Sequence, residues 1–144
     1  MSRADELGRL EQEVGVLIRR VKRVIGERAR AVHPDLQPAS YLMLTYLASA
    51  GPQRSSVMSE RFGVDKGAIS RQVQHLQDLG LLVREPDPDD GRAMLISASP
   101  DAVRRMRAVD HDRRRWLEEK LSEWSEDDLR EFVTGLARYN AALD

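Results

Sequence analysis

Hydrogen-bonding side chains suited to reading or holding a polar partner gather on one short stretch, Lys66-Gly67-Ala68-Ile69-Ser70-Arg71-Gln72-Val73-Gln74-His75. Ile69, Val73 and Leu76 recur at intervals of four and three, so they share one face of a helix. Lys66, Ala68, Ser70, Arg71, Gln74 and His75 cover its remaining surface. An arginine can donate a fork to the O6 and N7 of guanine, and a glutamine can pair bidentately with adenine. A serine or lysine can hold a phosphate. Any amphipathic helix with a solvated polar face shares this pattern, so its meaning depends on the elements around it.

A second cluster places Glu85, Asp87, Asp89 and Asp90 around Arg92, with Arg84 just before them. These carboxylates should repel phosphate rather than attract it. One resolution is internal pairing, in which Asp89 or Asp90 holds Arg92 in a pose that reaches a minor groove. The other is a solvated loop in which Arg92 neutralises its neighbours. Arg84 is a further phosphate candidate. The acidic spacing lacks a complete oxygen cage for a cation, so no metal or other cofactor is expected. No histidine, aspartate or serine set shows nucleophile-to-base spacing, which argues against an enzyme. His33, His75 and His111 stand alone and suit surface or packing positions.

The elements that must carry these residues follow from apolar spacing. Leu7, Leu10, Val14, Leu17, Val21 and Val24 form one stripe of a long helix, from about Ala4 to Val32, and Pro34 helps to end it. A helix of that length needs packing along its whole face, and a partner subunit is one source. A second helix starts near Pro38 or Ala39 and stops at Gly51-Pro52. Its apolar residues, Tyr41, Leu42, Leu44, Tyr46, Leu47 and Ala48, are dense enough for burial on more than one side.

Ser55 is expected to cap a short helix through about Phe62, packed by Val57, Met58 and Phe62. Gly63-Val64 makes a tight turn, Asp65 caps the next helix, and Gly80 ends it. Leu81-Leu82-Val83 and Ala93-Met94-Leu95-Ile96 read as two strands, with Glu85 to Gly91 as an exposed turn between them. Ser99-Pro100 starts another helix, and Ser125 with Asp128 forms the capping box of a last one. Helix, tight turn, helix and hairpin, in that order, predict a winged helix-turn-helix over Ser55 to Ile96, whose second helix enters the major groove of duplex DNA.

Bulk composition does not announce such a partner. The 144-residue chain is 33% charged and 41% hydrophobic, with a net charge of −1. Binding to phosphate must therefore come from where its charges sit. The chain contains no cysteine, which excludes disulfides, thiolate metal sites and a thiol redox switch. Met43, Met58, Met94 and Met106 read as core filler. No apolar run reaches membrane-spanning length and no leader pattern opens the chain, so a cytoplasmic protein without membrane contact is expected.

The chain resembles the MarR (multiple antibiotic resistance regulator) family of transcription factors over nearly its whole length. The resemblance is carried by Leu76-Gln77-Asp78-Leu79-Gly80-Leu81-Leu82-Val83-Arg84, by Asp87-Pro88-Asp89-Asp90-Gly91-Arg92, and by Leu95-Ile96-Ser97. Asp90 and Arg92 match the family's wing pattern of an acid two positions before an arginine. Gly67 to Val73 looks like its recognition helix. Two departures stand out: Asp89 makes the wing unusually acidic, and Ser99-Pro100 replaces a common threonine and glycine.

The resemblance implies one mainly α-helical domain over residues 1–144 with a small β wing. Residues 4–33 and 100–144 would be interlocking dimerisation helices, and 38–97 the DNA-binding region. It implies a homodimer on a pseudo-palindromic operator, most often acting as a repressor. Dimer contacts would fall on Leu10, Val14, Leu17, Leu129, Phe132, Leu136 and Tyr139; a core private to one chain is the other reading of these faces. Many members release DNA when a small phenolic or other aromatic molecule enters a cleft, here sought near Tyr41, His33, His111 and Trp116. A helical adaptor that binds protein through its termini is the alternative, but it leaves the Ser55–Ile96 order unexplained.

Overall fold

The computed structural model describes all 144 residues, Met1–Asp144. Helix α1 spans Arg3–Val32 and begins with a capping box: the Ser2 hydroxyl accepts from the Asp5 amide, and Asp5 accepts from the Ser2 amide. Only its C-terminal part is buried, at Gly26, Ala29 and Val32. Helix α2, Pro38–Ala50, starts on its proline and buries Ser40, Tyr41, Met43, Leu44 and Leu47. Gly51 then turns the chain with φ +80°, a left-handed conformation that glycine adopts freely.

Strand β1, Gln53–Arg54, leads into α3, Ser55–Phe62. The expected cap at Ser55 is corrected by one position: Arg54 occupies the N-cap, makes no side-chain cap bond, and Ser55 is already helical. Met58 packs into the core, whereas Val57, expected there, is exposed. Helix α4 covers Lys66–Asp78. It ends in a Schellman arrangement, in which the Leu81 amide donates to the Leu76 carbonyl and the Gly80 amide to that of Gln77. Gly80 takes φ +74° there.

Strands β2, Leu82–Asp87, and β3, Asp90–Ala98, form the hairpin. They extend well past the expected apolar runs. Glu85, Pro86 and Asp87 are strand residues rather than loop, leaving Pro88-Asp89 as the turn. Pro86 is tolerated because β2 is an edge strand and the register shifts between Pro86 and Asp87. The sheet has three antiparallel strands in the order β1-β3-β2, with Arg54 opposite Leu95 and Arg84 opposite Ile96. The sequence patterns had not indicated β1.

Helix α5, Pro100–Lys120, is capped by Ser99, whose hydroxyl accepts from the Ala102 amide and donates to the Gly80 carbonyl. Helix α6, Glu126–Ala142, has the expected Ser125–Asp128 capping box. The chain divides into two compact units, Met1–Val109 and Asp110–Asp144. The first holds the core: Leu44, Leu47, Met58, Ile69, Leu76, Leu81 and Ile96 are at most 1% exposed. The second consists of the end of α5 and α6, and none of its residues is buried. Trp124 and Phe132 meet there edge to face at 5.8 Å.

Candidate nucleic-acid interface

The α3–α4 turn is set by local bonds. Gly63 takes a left-handed φ of +61°. Ser59 grips the following residue twice, its carbonyl accepting from the Val64 amide while its hydroxyl donates to the Val64 carbonyl. The Asp65 carboxylate accepts from the Ala68 amide at 2.8 Å, which satisfies one open donor of the first turn of α4. Ile69, Val73 and Leu76 then fix one side of α4 to the core.

The opposite side carries Gly67, Arg71, Gln74 and Asp78, spaced as i, i+4, i+7 and i+11 on one stripe. Lys66, Ser70, Arg71 and Gln74 are exposed and Ala68 is half-buried. Arg71 folds back along the helix: a side chain at Gly67 would put its Cβ 3.4 Å from the Arg71 Nη1 and 3.2 Å from the Asp65 carboxylate. Gln74 donates to Asp78 at 2.9 Å, one turn further on. His75 lies apart from the stripe. It is half-buried, with Nε2 3.1 Å from the Asp35 carbonyl in the α1–α2 connection. That contact ties α4 to the body.

On the wing, Arg84 and Arg92 are both exposed and form no ion pair. The expected pairing of Arg92 with Asp89 or Asp90 takes another form. Asp90 accepts from the Arg92 backbone amide at 3.1 Å, which shapes the turn and leaves the guanidinium free. The ion pair of the wing lies elsewhere, between Arg54 and Asp87 at 2.6 Å. The Asp89 backbone amide and the Arg54 guanidinium hold the Asp87 carboxyl below the usual carboxylate range, and the same pairing raises the Arg54 value. Sequence reading missed Arg54 and Ser59: the partner of Arg54 lies 33 residues away, and the Ser59 bonds to Val64 form only once the turn at Gly63 closes.

From Gln53 to Ala98 the module holds six cations and seven carboxylates, so its gross charge is not basic. Placement changes that balance. Asp65 caps α4, Asp78 engages Gln74, Asp87 engages Arg54, and Asp90 engages the turn. Lys66, Arg71, Arg84 and Arg92 enter no ion pair and point their charge to solvent. Local potential at these cations is what a phosphate backbone would meet.

The candidate effector residues divide between the two units. Tyr41 is 4% exposed and packs in the core. His33 ends α1, and its Nδ1 accepts from the Asp35 amide. His111 and Trp116 belong to the second unit and are exposed; Arg113 stacks over Trp116 at 4.5 Å. None of the four lines the cavity of about 520 Å³ at Ala98, Pro100, Val103, Arg104 and Arg107. Nor do they line the cavity at Glu123, Trp124, Asp128, Glu131 and Phe132.

The candidate dimer residues are open. Leu10, Leu17, Leu129, Phe132 and Leu136 are exposed, and Val14 and Tyr139 are half-buried. A core private to one chain therefore leaves the five exposed ones open to solvent.

Comparison with known proteins agrees with this architecture. A model of the MarR family matches residues 35–93, which run from the α1–α2 connection into the wing. The HTH-type transcriptional regulator YxaD of Bacillus subtilis is 31% identical over 134 residues, covering 93% of this chain and 92% of its own. Among solved structures, RV1404 of Mycobacterium tuberculosis superposes with a TM-score of 0.81 at 19% identity, covering 99% of this chain and 94% of its own. The YusO protein of Bacillus subtilis does so with a TM-score of 0.75 at 18% identity, covering 99% of each chain. With the helix-turn-helix, the three-stranded wing and a relative alike over almost the full length, the chain belongs to the MarR family.

Proposed function

We propose that this protein is a sequence-specific, duplex-DNA-binding transcriptional regulator that acts as a homodimer. The observation that carries the reading is the α4 stripe of Gly67, Arg71 and Gln74, set opposite the buried Ile69, Val73 and Leu76 and flanked by exposed Lys66 and Ser70. An element of this shape enters a major groove with Arg71 and Gln74 toward base edges. Lys66, Arg84 and Arg92 hold phosphates or a groove edge on either side. Ala68 borders this face, and His75 supports it through Asp35. Its place of action, on this reading, is the cytoplasm.

The dimer reading is supported by exposed apolar faces. On α1, Leu7, Leu10, Leu17, Ile18 and Val21 are open to solvent. Helix α6 buries no residue and exposes Leu129, Phe132, Val133 and Leu136. Patches of this kind mark interaction surfaces, and a twofold interface presents two α4 helices to a pseudo-palindromic site. Residues 4–33 and 100–144 then assemble the dimer, and 38–97 contact DNA. Repression, relieved by a small aromatic ligand, completes the reading; its support is the family resemblance.

The test is a titration of the purified protein on duplex from its own upstream region and on random duplex, at two salt concentrations. Tighter, salt-sensitive binding to the upstream duplex, weakened by a phenolic acid, is expected. Equal affinity for both duplexes at every salt concentration would refute sequence-specific recognition. Strong binding to a protein partner with no DNA binding would favour an adaptor.

A further inference from the structure

Arg54 sits at the N-cap of α3, where a short polar side chain would ordinarily satisfy the open amides of the first turn. Its side chain makes no such bond and runs to the wing instead. Arg54 Nε donates to Asp87 Oδ2 at 2.8 Å, and Nη2 approaches the same oxygen at 2.6 Å. The other oxygen, Oδ1, accepts from the Asp89 amide at 2.9 Å inside the hairpin turn. Asp87 is 7% exposed, although it lies next to the tip of a two-stranded projection. One carboxylate thus joins two edge strands, β1 and β2, that do not pair with each other.

We propose that Arg54 and Asp87 form a clasp that positions the wing against the helix-turn-helix for DNA binding. The inference rests on the DNA-binding reading above and extends it to residues outside the expected contact face. Three effects converge on the pair. The Asp89 amide bond fixes the direction of the turn, and with it the start of β3, where Arg92 stands. The Arg54 contact ties that turn to the N-cap of α3, the helix that precedes α4, so the wing and the helix-turn-helix share a frame. Pairing also cancels one of the carboxylates that would otherwise face the phosphate backbone. A charge-assisted, forked contact holds geometry better than a single neutral bond, which is what a positioning role needs.

The test uses full-length protein carrying Arg54→Gln, Asp87→Asn, both together, and Arg54→Lys. Amide hydrogen exchange across residues 87–92, measured without DNA, reads the clasp directly. Exchange there should rise about tenfold in Arg54→Gln and recover in part in Arg54→Lys, which keeps the charge but loses the fork. DNA affinity should fall about five- to tenfold in each single variant, with base preference unchanged. The double variant should be no weaker than the weaker single, because each residue acts through the other. Unchanged exchange in Arg54→Gln would overturn the clasp, whether or not the protein binds DNA. Faster exchange with unaltered DNA affinity would overturn its role in binding. Additive losses in the double variant would make Arg54 an independent DNA contact and also overturn the proposal. If the wild type shows no DNA binding while the exchange result holds, the failure belongs to the DNA reading and the clasp is retained as a wing support only.

Discussion

Phe132→Ala tests the dimer reading most sharply. The ring is 54% exposed on a helix that buries nothing, and its one described aromatic partner is Trp124. A phenylalanine side chain can bury roughly 200 Å², so about 110 Å² remains for a partner to cover. At about 25 cal/mol per Å² that is nearly 3 kcal/mol per protomer. A twofold interface uses the residue twice, which sets a ceiling of about 5.5 kcal/mol. Area converts incompletely into affinity, and alanine keeps its own Cβ, so about half the ceiling is a fair expectation. The dimer Kd should then rise about 100-fold. Sedimentation velocity across a dilution series reads this directly, with far-UV circular dichroism as the check on folding. Val57→Ala on α3, at 38% exposure, is the control and should leave the dimer untouched. A folded Phe132→Ala protein with wild-type dimer affinity, or an equal effect from Val57→Ala, would refute the assignment of the α6 face.

Further outcomes follow from the same geometry. Arg71→Ala should cost about 1–3 kcal/mol at one base pair of each half-site, read by competition with single-base operator variants. Arg92→Ala should weaken all duplexes alike if its free guanidinium holds backbone. With Lys66, Arg84 and Arg92 from two protomers on phosphates, log K against log salt should slope at about −5; a slope near zero would remove the phosphate contacts. Gly63→Ala forces a side chain onto φ +61° and should destabilise the fold by about 1–2 kcal/mol in urea unfolding; an unchanged midpoint would count against the turn geometry. The Asp87 carboxyl is held low, so the clasp contributes above about pH 4, the ordinary carboxylate range, and is lost as pH falls through the lowered value. The stability gap between wild type and Asp87→Asn should hold from neutral pH to about 5 and close below about 4; a gap that grows on acidification would contradict this.

The parts of the fold legible in the sequence are those set by local chemistry. The Leu7–Val24 spacing, the Gly51, Gly63 and Gly80 stops and the Asp65 and Ser125 caps each act within a few residues, and each forecast the element that formed. The wing was harder because its extent is decided by pairing. Glu85, Pro86 and Asp87 have turn-forming composition, yet β3 supplies a partner and Arg54 supplies a counter-charge from 33 residues away. His75 illustrates the same gap on α4. Helical spacing allows it a place beside Arg71, and only the arrival of the Asp35 carbonyl draws it to the body. The surroundings of the candidate effector residues were equally hidden: approximate sequence position does not say whether a ring packs, as Tyr41 does, or is covered by a cation, as Trp116 is.

A carboxylate-rich module can still present a cationic face if its acids are engaged within the fold. Asp65, Asp78, Asp87 and Asp90 each accept a hydrogen bond from a neighbour, and each bond also shapes backbone or side-chain geometry. The same groups that cancel repulsion therefore build the surface. This makes the interface sensitive to placement and poorly served by bulk attraction, because six cations against seven carboxylates give no general pull on phosphate. Specific contacts must then supply a larger share of affinity than they would on a basic surface, and a single protomer offers few of them. Doubling the set through the proposed α1 and α6 dimer faces would be the physical remedy. It follows that a variant which breaks the dimer should lose DNA affinity even though every residue of α4 and the wing is intact.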